Sequence, residues 1–351
     1  MRLTAWLRLL ASDAIIIVTN EARFDESFGA FQENNEKQKG KRTMLKEKKL
    51  SGKRIGIFGK GGSGKSTVTV LLAKSLRNAG YEVSVLDADS TNVGLAQALG
   101  IAQSPEPLLD YFGGMVFSGG AVTCPVDDPT PLAGADLVMD ELPEAYNGRS
   151  PDGIRLFIAG KMGDKGPGAG CDGPIAKIAR DFKPRYEDEQ PVTLVDFKAG
   201  FEDSARGNIV TLDWIIVVVD PTVAAVQMAI NMRDMVDQLK AGGLPATAHL
   251  AFPELVELAY QLYRDAKVQG VLFILNKVRD ESTERFLRDR LSQEGIEPLG
   301  VIHDTPALSM AWLMGEPLIQ SAAQVEADRI VMALETAEKG YTPESQQHEP
   351  V

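Results

Sequence analysis

The residues best suited to chemistry are eight in a row, Gly59-Lys60-Gly61-Gly62-Ser63-Gly64-Lys65-Ser66, with Thr67 directly after them. They match G-x-x-x-x-G-K-[ST], in which glycines let successive backbone N–H groups turn inward around phosphate oxygens. Lys65 is spaced to bridge the β- and γ-phosphates, and the Ser66 hydroxyl to ligate Mg2+. Thr67 is placed to reach the α-phosphate. A β-branched run over 54–58 precedes the loop, and apolar residues at helical spacing follow it over 68–76. A strand entering such a loop and a helix leaving it is the context the motif requires, and the helix adds the positive end of its dipole. The segment implies a nucleoside-triphosphate site that works with Mg2+.

Three further strand ends carry polar residues. Residues 82–86 deliver Asp87-Ala88-Asp89-Ser90, and 192–195 end in Asp196-Phe197-Lys198-Ala199-Gly200. Parallel sheets bind ligands outside the carboxyl ends of their strands, so these acids should face the phosphates. Asp87 and Asp89 are two apart, so only one can aim at a given spot if the strand geometry persists. The third run, 271–275, leads into Asn276-Lys277-Val278-Arg279. Guanine readers carry a carboxylate at the position of Arg279, so ATP is the expected nucleotide, with Asn276 pairing to adenine through its amide. Asp304 stands after the next strand, where contact with the base or ribose and ordinary turn chemistry are equal readings.

The elements that must position these groups follow from hydrophobic pattern. Short apolar runs at 54–58, 82–86, 155–158, 192–195, 214–219, 271–275 and 299–302 alternate with amphipathic stretches such as 68–76 and 223–239. Apolar strands alternating with helices predict an α/β fold, a doubly wound, mostly parallel sheet covered on both faces, over residues 52–338. A stretch rich in Gly, Pro and Asp at 113–173 reads as an insertion over one sheet edge, and 241–270 as an addition with a small helix at 255–263. Residues 339–351 form a polar tail, expected to be disordered.

Composition narrows the class. The chain has 351 residues, 44% hydrophobic and 25% charged, enough to bury a large core without staples. Two cysteines make no disulfide framework, which points to a reducing, cytoplasmic setting. No stretch reaches ~18 apolar residues, so no membrane span is expected. The net charge of −12 argues against nucleic acid as a partner. Residues 37–54 nevertheless carry a local +8. Residues 1–51 are therefore set apart as a basic, solvated, disordered leader, with 1–43 alternatively lying upstream of a start at Met44.

Lys60 adds a resemblance. K-G-G-x-G-K-[ST] resembles the deviant Walker A motif of the superfamily that holds MinD, ParA, the nitrogenase iron protein and ArsA. The resemblance implies a nucleotide-sandwich homodimer in which Lys60 reaches the partner's nucleotide. It also implies that Asp87 supports the Mg2+ shell through water and that Asp89 orients the attacking water. The Asp196-x-x-x-Gly200 segment resembles a Walker B or switch II element, with Asp196 at the Mg2+ shell and Gly200 at the γ-phosphate. Lys60, Lys65, Asp89 and Asp196 are the catalytic candidates.

A more specific resemblance runs through Gly170-Cys171-Asp172-Gly173-Pro174, then 196–207, then Val217-Val218-Val219-Asp220-Pro221. It is similar to the nickel-insertion ATPases of the CooC type, whose C-x-C pairs across a dimer to hold a metal ion. This chain departs from the pattern at two points. Gly173 stands where the second cysteine belongs, and Lys198 replaces a usual acid. A dimer would offer two Cys171 thiolates, so Ni2+ or Zn2+ at the dimer interface would need further ligands, Asp172 or Cys124. The opposing reading treats Cys124 and Cys171 as small buried hydrophobes. His249, His303 and His348 show no ligand spacing among themselves.

The resulting expectation is a slowly hydrolysing dimeric switch ATPase that matures the metallocentre of a client enzyme. One alternative is a positioning ATPase of the MinD or ParA kind, against which the polar C-terminal segment and acidic core both count. The other is a reductase resembling the nitrogenase iron protein, which would need Cys124 and Cys171 folded together.

Overall fold

The computed structural model describes residues 48–162, 170–187, 189–318 and 322–340. Most of the leader and the residues after 340 lie outside these, as does part of the segment 113–173. Ten strands are present among the described residues. They are β1 (Arg54–Gly59), β2 (Val83–Asp87), β3 (Asp136–Val138), β4 (Gly148–Arg149), β5 (Arg155–Ile158), β6 (Lys183–Arg185), β7 (Val192–Asp196), β8 (Trp214–Val219), β9 (Gly270–Val278) and β10 (Gly300–His303). Eight of them form one sheet in the order β10-β9-β8-β1-β7-β2-β5-β4. Every neighbouring pair is parallel except β4–β5.

The apolar strands predict burial on both faces, and alternation along β8 shows it. Ile215, Val217 and Val219 enter one core with Phe58 and Phe197, while Ile216 and Val218 enter the other with Ile55 and Ile57. The longer helices cover these faces: α1 (Lys65–Asn78), α2 (Gly173–Asp181), α3 (Val223–Lys240), α4 (Pro253–Arg264), α5 (Glu281–Ser292), α6 (Pro306–Met314) and α7 (Ala322–Gly340). Val68, Leu71 and Leu72 of α1 share a core with Ala327, Ile330 and Leu334 of α7. On the other face Ile175 and Ile178 of α2 join Ala229 and Met232 of α3 and Leu291 of α5. Each such side chain, fully buried, contributes roughly 1.5–3 kcal/mol of transfer free energy.

One expectation needs correction. Residues 113–173 are not all peripheral, because β5 lies inside that span and pairs with β2 in the main sheet. What stands outside the sheet includes β3, which pairs with β6 in a separate two-stranded ribbon. Strands β3, β4 and β6 were not foreseen. They are two or three residues long, and Lys183-Pro184-Arg185 has no apolar period to read. The helix expected at 255–263 is α4, with Pro253 in its first turn.

Two strands also run one residue further than their apolar runs. β2 ends on Asp87 and β7 on Asp196, and these two residues face each other in parallel register. The sheet itself thus sets the two carboxylates side by side at its carboxyl edge.

Candidate functional site

The loop from Gly59 to Ser66 leaves β1 at the centre of that edge and enters α1. Gly64 takes a left-handed conformation, φ 90°, and no side chain caps the helix it starts. The first amides of α1 are therefore free to bind an anion. A β-carbon at Gly64 would lie 2.2 Å from Asn276 Nδ2, so glycine is required by space as well as by φ. Lys65 is buried, and its Nζ reaches back to Lys60 O at 3.4 Å. Ser63 N donates to Lys60 O at 3.2 Å, closing the loop, and Lys60 itself is exposed. Gly200 N donates to Gly59 O at 3.3 Å, and Phe197 stacks on Phe58 at 4.4 Å between ring centroids. Phosphate loop and switch segment thus touch through backbone and core at once.

A cavity of about 600 Å3 opens from this loop. Gly61, Gly62, Gly64, Lys65, Ser66 and Thr67 of the loop line it, together with Asp89, Asn276 and Asp304. Asp87 and Asp196 are buried beneath its floor. Ser66 Oγ donates to Asp196 Oδ2 at 2.6 Å and accepts from Asn92 Nδ2 at 2.9 Å. Asp89 N donates to Asp87 Oδ1 at 3.1 Å, while Asp89 Oδ1 accepts from both Thr91 N and Thr91 Oγ1. Asp89 therefore turns away from Asp87, and one acid serves the floor while the other faces the cavity.

A model of the CobQ/CobB/MinD/ParA nucleotide binding domain matches residues 57–318. The chain belongs to that family. It is an ATP-binding P-loop ATPase of the MinD/ParA type. An uncharacterized ATP-binding protein of Methanocaldococcus jannaschii is 28% identical over 275 residues, 78% of this chain and 96% of the relative. The carbon monoxide dehydrogenase accessory protein CooC of Rhodospirillum rubrum is 27% identical over 214 residues, 56% of this chain and 73% of that protein. Among solved structures, the cell division ATPase MinD of Pyrococcus furiosus covers 81% of this chain with 99% of its own, at 18% identity and a TM-score of 0.48.

For a MinD/ParA-type ATPase the burial of two carboxylates under the loop has an electrostatic consequence. Burial pushes Asp87 up to about 7, against the pull of Lys161, with Asp196 adding repulsion. Burial likewise pushes Asp196 up to about 6, opposed by the Ser66 hydroxyl and Lys65. Asp196 Oδ1 has no hydrogen-bond partner among the described residues. A divalent cation fits this arrangement, since its charge would offset the desolvation both acids carry and Ser66 Oγ is already directed at Asp196. Ser66, Asp87 and Asp196 are the residues that would hold Mg2+, which would supply charge neutralisation to the β- and γ-phosphate oxygens of ATP. The arrangement could hold a triphosphate on backbone amides and Lys65, with Ser66, Asp87 and Asp196 kept in place beside it.

Three residues at the site escaped the sequence reading. Lys161 Nζ binds Asp87 Oδ2 at 2.8 Å and Asp89 O at 2.6 Å, supplying a cation to the buried pair. It stands just past β5, a strand end like those that carry the acids, and that position was the available signal. Asn92 orients Ser66 from an irregular loop, which no pattern announces. Lys277 donates to Gly62 O at 2.8 Å from a φ of 58°, the one left-handed non-glycine residue among those described.

Asn276 is placed differently from the expectation of base pairing through its amide. Nδ2 donates to the buried carbonyl of Ser63 at 2.7 Å, so one amide N–H braces the phosphate loop, and the second N–H and Oδ1 remain. Asp304 lines the cavity, with Arg279 at 3.8 Å. His303 is engaged by Glu326 at 2.7 Å, and His249 contacts Val126 O at 2.9 Å.

The two cysteines do not line the nucleotide cavity. Both are free and partly buried. A β-carbon at Gly173 would fall 2.7 Å from Cys124 Cβ and 2.8 Å from its sulfur, so Cys124 occupies the space a side chain at 173 would need. Burial raises the Cys124 thiol, and the Cys171 sulfur is near enough to add to this. Asp172 is bound to Lys198, which holds its carboxyl below the ordinary range against the effect of burial. The residue that departs from the nickel-insertion pattern in the switch segment therefore grips the cysteine loop. Among the described residues no group of three or more His, Cys, Asp or Glu side chains is arranged to hold a metal ion. No described helix is long and apolar enough to cross a membrane.

Proposed function

We propose that this chain is a dimeric, nucleotide-switched ATPase that delivers a transition-metal ion to the metallocentre of a client enzyme in a reducing cytoplasm. The observation that carries this reading is the seat of Cys124. Gly173 lacks a side chain where the nickel-insertion pattern has its second cysteine, and the Cys124 sulfur fills that space from the other side. Each protomer then presents two thiols, Cys171 and Cys124, and a two-fold dimer presents four, which suits tetrahedral Zn2+ or Ni2+ cargo. Asp172 Oδ2 is taken by its ion pair with Lys198, which favours Cys124 as the second ligand.

That ion pair also supplies the coupling. Lys198 lies between Asp196 and Gly200, so movement of the switch segment on hydrolysis pulls on Asp172 and hence on Cys171. ATP held between two protomers, with Lys60 of each reaching the other's phosphates, closes the thiol site, and hydrolysis opens it to release the metal. The sequence similarity to the CooC accessory protein supports the same role.

The test is Ni2+ and Zn2+ stoichiometry on reduced, anaerobic protein, with and without ATP, beside Cys171→Ala and Cys124→Ala. One metal per dimer, lost in either variant, is the expected result. Metal retained in Cys124→Ala would remove Cys124 from the site, and no binding in any nucleotide state would overturn the metal reading while leaving the ATPase intact.

A further inference from the structure

The lining of the nucleotide cavity is of two chemically distinct kinds. Glycines, Lys65, Ser66 and Thr67 of the phosphate loop make one part of it. Leu308 and Trp312 are the only large apolar side chains among the described residues that line it. A triphosphate held on the loop leaves its base to the rest of this lining. The faces of a purine are apolar and polarizable, and they gain most from an aromatic or aliphatic wall.

The indole is held in place by a second residue. Gly94 adopts φ 129°, and a β-carbon there would lie 3.2 Å from Trp312 Cζ3. The six-membered ring therefore packs on bare glycine backbone, which fixes its plane beside the cavity. Two polar atoms of this wall are unspent. Trp312 Nε1 and Thr305 Oγ1 are shielded from solvent and have no hydrogen-bond partner among the described residues. Asn276 has one amide N–H committed to Ser63 O.

We propose that Trp312, backed by Gly94 and flanked by Leu308, is the wall against which the adenine of ATP lies, and that it sets the preference for purine over pyrimidine triphosphates. This assignment rests on the ATP site alone and is independent of the metal reading. Stacking takes its energy from the base and nothing from the phosphates, so the contribution must vanish for a ligand with no base. A purine, with two fused rings, gains more from the indole than a pyrimidine does.

The experiment is equilibrium binding of ATP, CTP and inorganic tripolyphosphate, each with Mg2+, to wild type, Trp312→Phe and Trp312→Ala. Trp312→Ala is expected to weaken ATP by roughly 5- to 100-fold, CTP by less, and tripolyphosphate not at all. Trp312→Phe should keep most of the ATP affinity. Equal loss for tripolyphosphate would show that the residue acts through the fold, and unchanged ATP affinity would remove it from the base site; either overturns the proposal. Fluorescence gives a second readout. Trp214 donates to Glu338 at 2.7 Å from the opposite end of β8, so with Trp6 replaced by Phe throughout, ATP-dependent quenching should survive Trp214→Phe and disappear in Trp312→Phe. Quenching that persists in Trp312→Phe would equally overturn the assignment.

Discussion

Replacing Asn276 by alanine tests whether this side chain reads the base or braces the loop. In the structure its Nδ2 donates to Ser63 O at 2.7 Å, and the residue is 3% exposed. Truncation leaves a buried carbonyl without its donor, which costs about 1–3 kcal/mol, and opens a small void beside Gly64. At about 2–4 °C per kcal/mol for a domain of this order of size, the nucleotide-free protein should melt lower by several degrees. A loosened loop must also be reordered when phosphate binds. If the same 1–3 kcal/mol is charged to binding, affinity falls by roughly 5- to 100-fold. The loss should be the same for ATP, CTP and inorganic tripolyphosphate, because the damage lies at the phosphate end. Isothermal titration of the three ligands, with melting curves of the free protein, measures both effects. Weaker ATP with unchanged tripolyphosphate affinity and unchanged melting would refute the bracing argument and restore Asn276 as a base reader.

Lys60→Ala removes an exposed cation from the phosphate loop and tests the proposed trans role. ATP binding to the monomer should persist while hydrolysis drops by roughly 100- to 1,000-fold, the scale of losing one charge-stabilising group; single-turnover rates beside binding isotherms separate the two, and undiminished hydrolysis would end the trans role. A pH series addresses the buried acids. Burial raises Asp87 to about 7 and Asp196 to about 6, above the ordinary 3.8, so the folded state holds protons that the unfolded state releases. Their contribution to stability therefore declines as pH rises from about 4 to 7 and levels off beyond. Melting of Mg2+-free protein between pH 5 and 8 should show this decline, and Asp87→Asn should flatten it. An identical slope in the variant would place the titration elsewhere.

Sequence alone determined the phosphate loop, the strands that flank it, the parallel sheet and the strand-end positions of Asp87 and Asp196. These features are local. A glycine spacing, an apolar run and a helical period depend on residues a few positions apart, and the physics that selects them acts within one turn or strand. Short or polar pieces such as β4 and β6 were invisible because two or three residues define no period.

Tertiary structure decided which groups meet. Lys161 reaches Asp87 across 74 positions, and Asn276 reaches Ser63 across 213. Lys198 meets Asp172 only because the switch segment and the start of α2 share one end of the sheet. Cys124 fills the space at Gly173 because a loop from the peripheral segment folds over α2. A residue type states what a side chain can bond, but the partner it finds is set by strand order and register. The amide of Asn276 was therefore legible as a hydrogen-bonding group in the sequence, whereas its use as a brace was fixed by the approach of β9 to the loop, through β8, which leaves its nitrogen facing Ser63 O.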